Sequence, residues 1–349
     1  MTCLDHHLHR LDRDLRGVPA NHGLAEPKAS RACPACLRRS ALIAALAPAI
    51  EQRSLHRRDL LALLALSNEQ LLLAATNVGN PHGVSRRRSV SLSLPPPIPT
   101  EQVPTAICRH DPSGEGYPEA LAQLDCAPAV LYGTCTTERL RELLCGPTVA
   151  ILGSRDYSSY ARRIAFELAR DLARAGVTVI SGVNEGLEGV AHHGALHAGG
   201  STIAVMAGSP DRAHRAHHDP LHRRILAHGA AVSELPPGFI ARQGWPFIAS
   251  QRIIAALAGL VVVVEAAGRS CTLLTTQIAA EIGHDVAVVP GRVTDPGGVW
   301  LLELLRDGAH PVGNARDVLE LIGDDWSSGG ARTGRSPPAG PLTRPARSA

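Results

Sequence analysis

Residues 148–181 read TVAILGSRDYSSYARRIAFELARDLARAGVTVIS. The opening run, Val149-Ala150-Ile151-Leu152, is apolar throughout, as a strand covered by helices on both faces requires. It breaks at Gly153-Ser154-Arg155, where the missing Cβ of Gly153 lets a second backbone or a phosphate come close. Residues 161–175 then place Ile164, Leu168 and Leu172 at i, i+4 and i+8, the spacing of one helical face. Gly176 reads as the helix stop, and Val177-Thr178-Val179-Ile180 as the next strand. Strand, glycine turn, helix, strand is a βαβ unit, and it predicts an α/β fold on a parallel sheet flanked by helices. In such sheets the strand carboxyl ends meet helix N-termini, whose free N–H groups and dipole favour anions. That rim is the first place to look for a charged ligand.

Working outward, 349 residues with 44% hydrophobic content give room for one large domain with smaller attachments. Lys28 is the sole lysine; arginine stands nearly everywhere else, so one arginine alone is weak evidence for a phosphate site. No apolar run of about 18 residues exists, so no membrane span is expected. The start, MTCLDHHLHRLDRDLRG, carries acids and no apolar segment, against a secretory signal. Eight cysteines without a regular framework predict reduced thiols in a cytoplasmic protein. The net charge of +3 divides into +6 over residues 1–100, −5 over 101–323 and +2 over 324–349. A nucleic-acid grip normally shows a basic surface, so the central region must rely on a local patch.

Residues 1–30 have mixed charge, many histidines and no period, and are expected to be poorly ordered. Cys33-Pro34-Ala35-Cys36 is a CxxC pair. As a zinc half-site it needs a second pair, and Cys3 with His6, His7 or His22 offers irregular spacing; no metal or other cofactor is expected. Residues 31–76 predict a small N-terminal helical domain, with Leu42, Leu46 and Ile50 on one face and Leu60, Leu64, Leu71 and Leu72 continuing in later helices. Residues 77–105, with Arg86-Arg87-Arg88 before a Ser/Pro stretch, read as a linker. The tail 324–349, rich in Gly, Pro, Ser and Arg, reads as disordered.

A resemblance emerges over residues 107–322. Tyr117-Pro118-Glu119-Ala120-Leu121, the strand ending Leu131-Tyr132, Val149 to Tyr157, Ser181-Gly182-Val183-Asn184-Glu185-Gly186, Phe247 to Ala258, Ser270-Cys271-Thr272-Leu273-Leu274-Thr275 and Val289-Pro290-Gly291 follow in order. Together they resemble the DNA-processing protein A family (DprA, also called Smf), with motifs of the YPxxL, SGxARGID, FPxRNRIIAGLS and SGSLIT kinds. The resemblance implies an extended Rossmann-like domain over 106–323 that binds single-stranded DNA, forms a homodimer and hands DNA to a RecA-type recombinase in natural transformation. It implies a binding protein, not an enzyme, so no catalytic residue is expected.

Mapped onto this chain, the implied DNA or phosphate contacts are Gly153, Ser154, Arg155, Ser181, Gly182, Gly186, Phe247, Arg252, Ser270, Thr272 and Thr275. Arg155 would offer a planar guanidinium fork to a phosphate. Gly182 and Gly186 read equally as tight turn geometry or ligand contact, and His192 reads as a structural histidine. Several positions depart from the family pattern: Glu185 replaces a basic residue, Ile248, Ser250 and Gln251 replace Pro, Arg and Asn, and Leu302 lies where the family has a polar turn. A carboxylate at 185 would repel phosphate.

Two other readings compete. A degenerate paralogue would keep the fold for dimerisation or partner docking, as Glu185 and the acidic centre suggest. A nucleotide phosphoribohydrolase of the Lonely Guy kind shares the Rossmann-like layout, but its PGGxGTxxE loop is absent: after Glu265 the chain reads AAGRSCTLLTT. His193 and His197 at i, i+4, and the run His214, His217, His218 and His222, lack a clear further ligand and read as solvated surface.

Overall fold

The computed structural model describes residues 32–51, 56–76, 103, 105–111, 116–183, 186–213, 219–241, 244–268, 270–295 and 297–326. The first thirty residues, most of the Ser/Pro linker with its arginines, Glu185, His214, His217, His218 and the tail from 327 lie outside them.

The stretch 148–181 forms the centre as its pattern requires: strand β3 (Thr148–Gly153), helix α6 (Ser159–Arg174) and strand β4 (Thr178–Gly182). Side chains of β3 alternate between faces, as the two-residue period of a strand dictates. Val149 and Ile151 join the core beneath α6, with Ala165, Leu168 and Leu172. Ala150 and Leu152 join the opposite core with Ile253, Ile254 and Ile278. These last residues come from α9 (Trp245–Leu257) and α10 (Cys271–Glu281). Ser158 caps α6, its hydroxyl accepting from the Ala161 N–H.

Around this unit lie β5 (Thr202–Val205), β6 (Ala230–Ser233), β7 (Leu260–Glu265), β8 (Asp285–Val288) and β9 (His310–Pro311). The crossovers are α7 (Leu187–His197), α8 (Asp219–His228) and α11 (Gly298–Arg306), and α12 (Ala315–Trp326) closes the described chain. Two short strands precede them, β1 (Thr105–Ile107) and β2 (Leu131–Gly133), with α4 (Glu119–Ala122) between, and α5 (Thr137–Cys145) leads into β3. Among the described residues the sheet has nine strands in the order β1-β2-β6-β5-β4-β3-β7-β8-β9. It is parallel from β6 to β9, while β2 runs antiparallel to both β1 and β6. The fold is therefore α/β and Rossmann-like, and the expected parallel sheet is extended on one side by an antiparallel pair. Helix α12 also runs past the expected boundary at 323.

The predicted N-terminal helices form α1 (Pro34–Glu51), α2 (Arg57–Ala65) and α3 (Asn68–Thr76). They do not close a core of their own. Leu46, Ile50, Leu60 and Leu71 pack with Leu235, Trp245 and Ala249 in one cluster, and the Trp245 indole N–H donates to Ala47 O. A buried polar hub joins the same parts. Tyr132 donates to Ser40 Oγ, which donates to Glu234 O, and the Glu234 carboxylate takes both guanidinium nitrogens of Arg252 at 2.7 and 2.6 Å. Among the described residues no helix is long and apolar enough to cross a membrane.

Candidate functional site

The rim at the carboxyl ends of β3, β4 and β7 is built by close packing. β3 and β7 slip register at Leu152/Gly153, and Ser154 N–H donates to Glu265 O at 2.8 Å. The Glu265 carboxylate then accepts from the Ser158 N–H and hydroxyl, fixing the start of α6. At the start of α7, Leu187 N–H donates to Ser154 O. Gly186 makes that turn with φ +121° and ψ −154°, a region open essentially to glycine alone. A Cβ there would stand 2.5 Å from Ser154 O and 2.7 Å from Arg155 Cα. Gly186→Ala should therefore cost about 1–3 kcal/mol in unfolding free energy, read as a lower urea midpoint; an unchanged midpoint would mean the turn relaxes freely.

Gly153 and Gly182 serve the same compaction. A Cβ on Gly153 would meet Leu187 Cδ1 at 2.3 Å, and one on Gly182 would meet Glu188 Oε2 at 2.5 Å. For these three glycines the turn-geometry reading accounts for the structure. The buried His192 fastens the other side: its Nε2 is 3.0 Å from Gly182 O and its Nδ1 2.7 Å from Thr202 Oγ1. Burial lowers its pKa to about 4, so the ring is neutral at pH 7. Gly182 O only accepts, so Nε2 carries the proton, while the Thr202 hydroxyl beside Nδ1 donates to Val179 O.

The predicted contact residues divide. Arg155 is exposed at the tip of β3 and makes no hydrogen bond or ion pair among the described residues. Ser270, at the N-terminus of α10, has a buried hydroxyl without a hydrogen-bond partner among the described residues, and its carbonyl accepts from Arg57 Nη1. Arg57 thus joins the rim from α2, a residue the sequence reading passed over because nothing local marks it. Burial pushes the Cys271 thiol up, with Arg57 and Arg155 opposing and Glu188 reinforcing the shift, which places all three charges around the start of α10. Neither α7 nor α10 has a side-chain cap at its N-terminus, leaving backbone N–H groups oriented toward the rim.

Other expected contacts are corrected. Arg252 is 2% exposed; besides Glu234 it donates to Cys126 O and Ala249 O, so its fork is consumed internally. Burial works to lower the pKa of the Arg252 guanidinium, and the Glu234 carboxylate beside it holds that pKa above the ordinary arginine value. The Phe247 ring is buried in the first turn of α9 and presents no face for a base to stack on. The Ser181 hydroxyl donates to Ile151 O at 2.7 Å. Thr272 and Thr275 lie inside α10, both buried, and the Thr275 hydroxyl is 2.7 Å from Gln251 Oε1. Ser250 and Gln251 turn inward too, both bonding Phe247 O. Ser154 is buried in the β3 turn and contributes backbone contacts.

Residues 107–323 match the family model of DNA recombination-mediator protein A. A putative DNA processing protein DprA of Mycobacterium tuberculosis is 40% identical over 174 residues, half of this chain but 44% of that protein. The DNA processing protein DprA of Bacillus subtilis is 30% identical over 210 residues, covering 60% of this chain and 69% of that one. The X-ray structure of Streptococcus pneumoniae DprA superposes with a TM-score of 0.60 at 26% identity, covering 82% of this chain and 95% of its own. Helicobacter pylori DNA processing protein A, a structure described for its single-stranded DNA binding mode, gives a TM-score of 0.54 at 28% identity, over 61% and 95% of the two chains. With a family match covering more than half its length, on the sheet and rim just described, the chain belongs to the DNA recombination-mediator protein A family.

Proposed function

We propose that this chain binds single-stranded DNA along the strand-end rim and acts in DNA processing during uptake and recombination, as a homodimer that passes the strand to a RecA-type recombinase. The observation that carries the reading is Arg155: an exposed guanidinium at the tip of β3 that is unpaired among the described residues, beside helix N-termini without side-chain caps and a Ser270 hydroxyl that has no partner among those residues. A phosphate suits each of these groups. Family membership and the single-stranded DNA binding of the Helicobacter pylori relative support it. Gly153, Gly182 and Gly186 contribute by letting the loop backbones approach.

Fluorescence anisotropy with labelled oligo-dT and a duplex of equal length, at two salt concentrations, tests the reading. Arg155→Ala is expected to weaken single-strand binding about 10- to 100-fold, the worth of a hydrogen bond to a charged group. It should also flatten the log K against log salt slope by roughly 0.7, for one lost phosphate contact on a single strand. Unchanged affinity and slope would remove the rim from consideration. Handover is read separately, as faster recombinase filament formation on the strand.

A second reading, a family member that keeps the fold for docking alone, is favoured by one feature: the buried Glu188 carboxylate packed against Gly182 at the rim. It predicts no anisotropy change even at low salt while size-exclusion chromatography still gives a dimer.

A further inference from the structure

Away from the rim, two segments distant in sequence bring four metal-ligand side chains together. Cys33 and Cys36 sit at the start of α1, and Cys108 and His110 follow β1 directly. Their ligand atoms all lie within 4.8 Å of one another. His110 Nδ1 is 3.1 Å from Cys36 Sγ, and the Cys33 backbone N–H donates to Cys108 Sγ at 3.3 Å. The segments are held side by side by Ala32 N–H donating to Ala106 O at 2.9 Å. Cys36 and Cys108 are buried, Cys33 is half-buried and His110 is exposed, within an apolar shell that includes Val103, Val130 and Tyr132. All three cysteines are free thiols.

We propose that Cys33, Cys36, Cys108 and His110 hold one Zn2+ as a structural Cys3His centre. Tetrahedral zinc, with bonds of about 2.3 Å to sulfur and 2.0–2.1 Å to nitrogen, sets its ligand atoms roughly 3.4–3.8 Å apart, within the observed spread. Three thiolates and an imidazole select a soft or borderline ion over Mg2+ or Ca2+. Four protein ligands close the coordination sphere and leave no open position, which marks a structural role. A disulfide would consume two of the thiols and leave the third and the imidazole without purpose at the same point. The Cys33 N–H to Cys108 Sγ contact is the outer-shell bond that orients a thiolate ligand.

Sequence alone points to no metal here because the residues near Cys33 and Cys36 offer only irregularly spaced ligands. The partner is Cys108-Arg109-His110, 75 positions after Cys33. Bound there, the ion clamps α1 to the antiparallel edge of the sheet, and its binding free energy becomes folding free energy, with protons released from the thiols as they ligate. The proposal stands whether or not the rim binds DNA.

Full-length protein purified without chelator should carry one Zn2+ per chain by elemental analysis. Cys108→Ser should lower that content at least about tenfold, whereas Cys145→Ser, at an exposed cysteine outside the cluster, should leave it unchanged. Co2+ in place of zinc should show the ligand-field bands of a tetrahedral site and a thiolate charge-transfer band. His110→Cys should keep the metal and strengthen the charge-transfer band by about a third, as three thiolates become four; this arm does not depend on the folding of Cys108→Ser. Metal-free protein with an octahedral Co2+ spectrum, zinc content indifferent to Cys108→Ser, or a disulfide among Cys33, Cys36 and Cys108 in protein purified under reducing conditions would each overturn the proposal.

Discussion

Arg252→Met is expected to lower the unfolding free energy by about 3–5 kcal/mol, the cost of leaving one member of a buried ion pair behind. The stranded partner is Glu234, 8% exposed, whose carboxylate oxygens both face the guanidinium. The variant also abandons Cys126 O and Ala249 O, which accept from the same side chain. Adding Glu234→Leu removes the uncompensated acid, so the double variant should regain a large part of the loss, because apolar replacement of a whole buried pair is often near neutral. Urea unfolding of the wild type, both single variants and the double variant closes the cycle. A single-variant loss under about 1 kcal/mol, or strict additivity, would show that water reaches the pair and that the hub is not a keystone.

His192 supplies the second large effect, through pH. Its ring has a folded-state pKa of about 4 against the ordinary histidine value of 6.5. Between those values the unfolded chain binds a proton that the native state refuses, so acid favours unfolding in that window. The stabilisation is complete above pH 6.5 and declines as pH falls. The expected loss is about 2 kcal/mol by pH 5 and about 3 kcal/mol near pH 4. His192→Gln keeps a donor toward Gly182 O and does not titrate. Its stability should vary less steeply with pH than the wild type's, even where the variant is weaker at neutral pH. Parallel pH profiles for the two proteins would count against a neutral buried imidazole.

The fold was legible where residues repeat a pattern long enough to be recognised. Val149 to Leu152, the helical spacing of Ile164, Leu168 and Leu172, and the stop at Gly176 gave β3, α6 and β4 to within a residue or two. The antiparallel flank escaped because β1 and β2 have three residues each, too few to show a period. At the site, residue type alone was ambiguous. A serine at a strand end reads as an anion contact, yet Ser181 donates to the neighbouring strand. Arg252 looked solvent-facing because its partner Glu234 sits 18 positions earlier, in a separate motif. The exposed place of Arg155 at the rim was readable because it follows a strand directly. Arg57 was not, because α2 reaches the rim only through tertiary packing.

The core shared by the N-terminal helices and α9 has a consequence for how this chain tolerates change. Leu46 and Ile50 touch the same cluster as Trp245 and Ala249, so segments some two hundred positions apart form one jigsaw, and a volume change in either is felt by the other. Substitutions drifting into one segment therefore restrict which are admissible in the other. The two must diversify in concert across relatives, and transplanting either helix alone between family members would bring mismatched knobs and hollows.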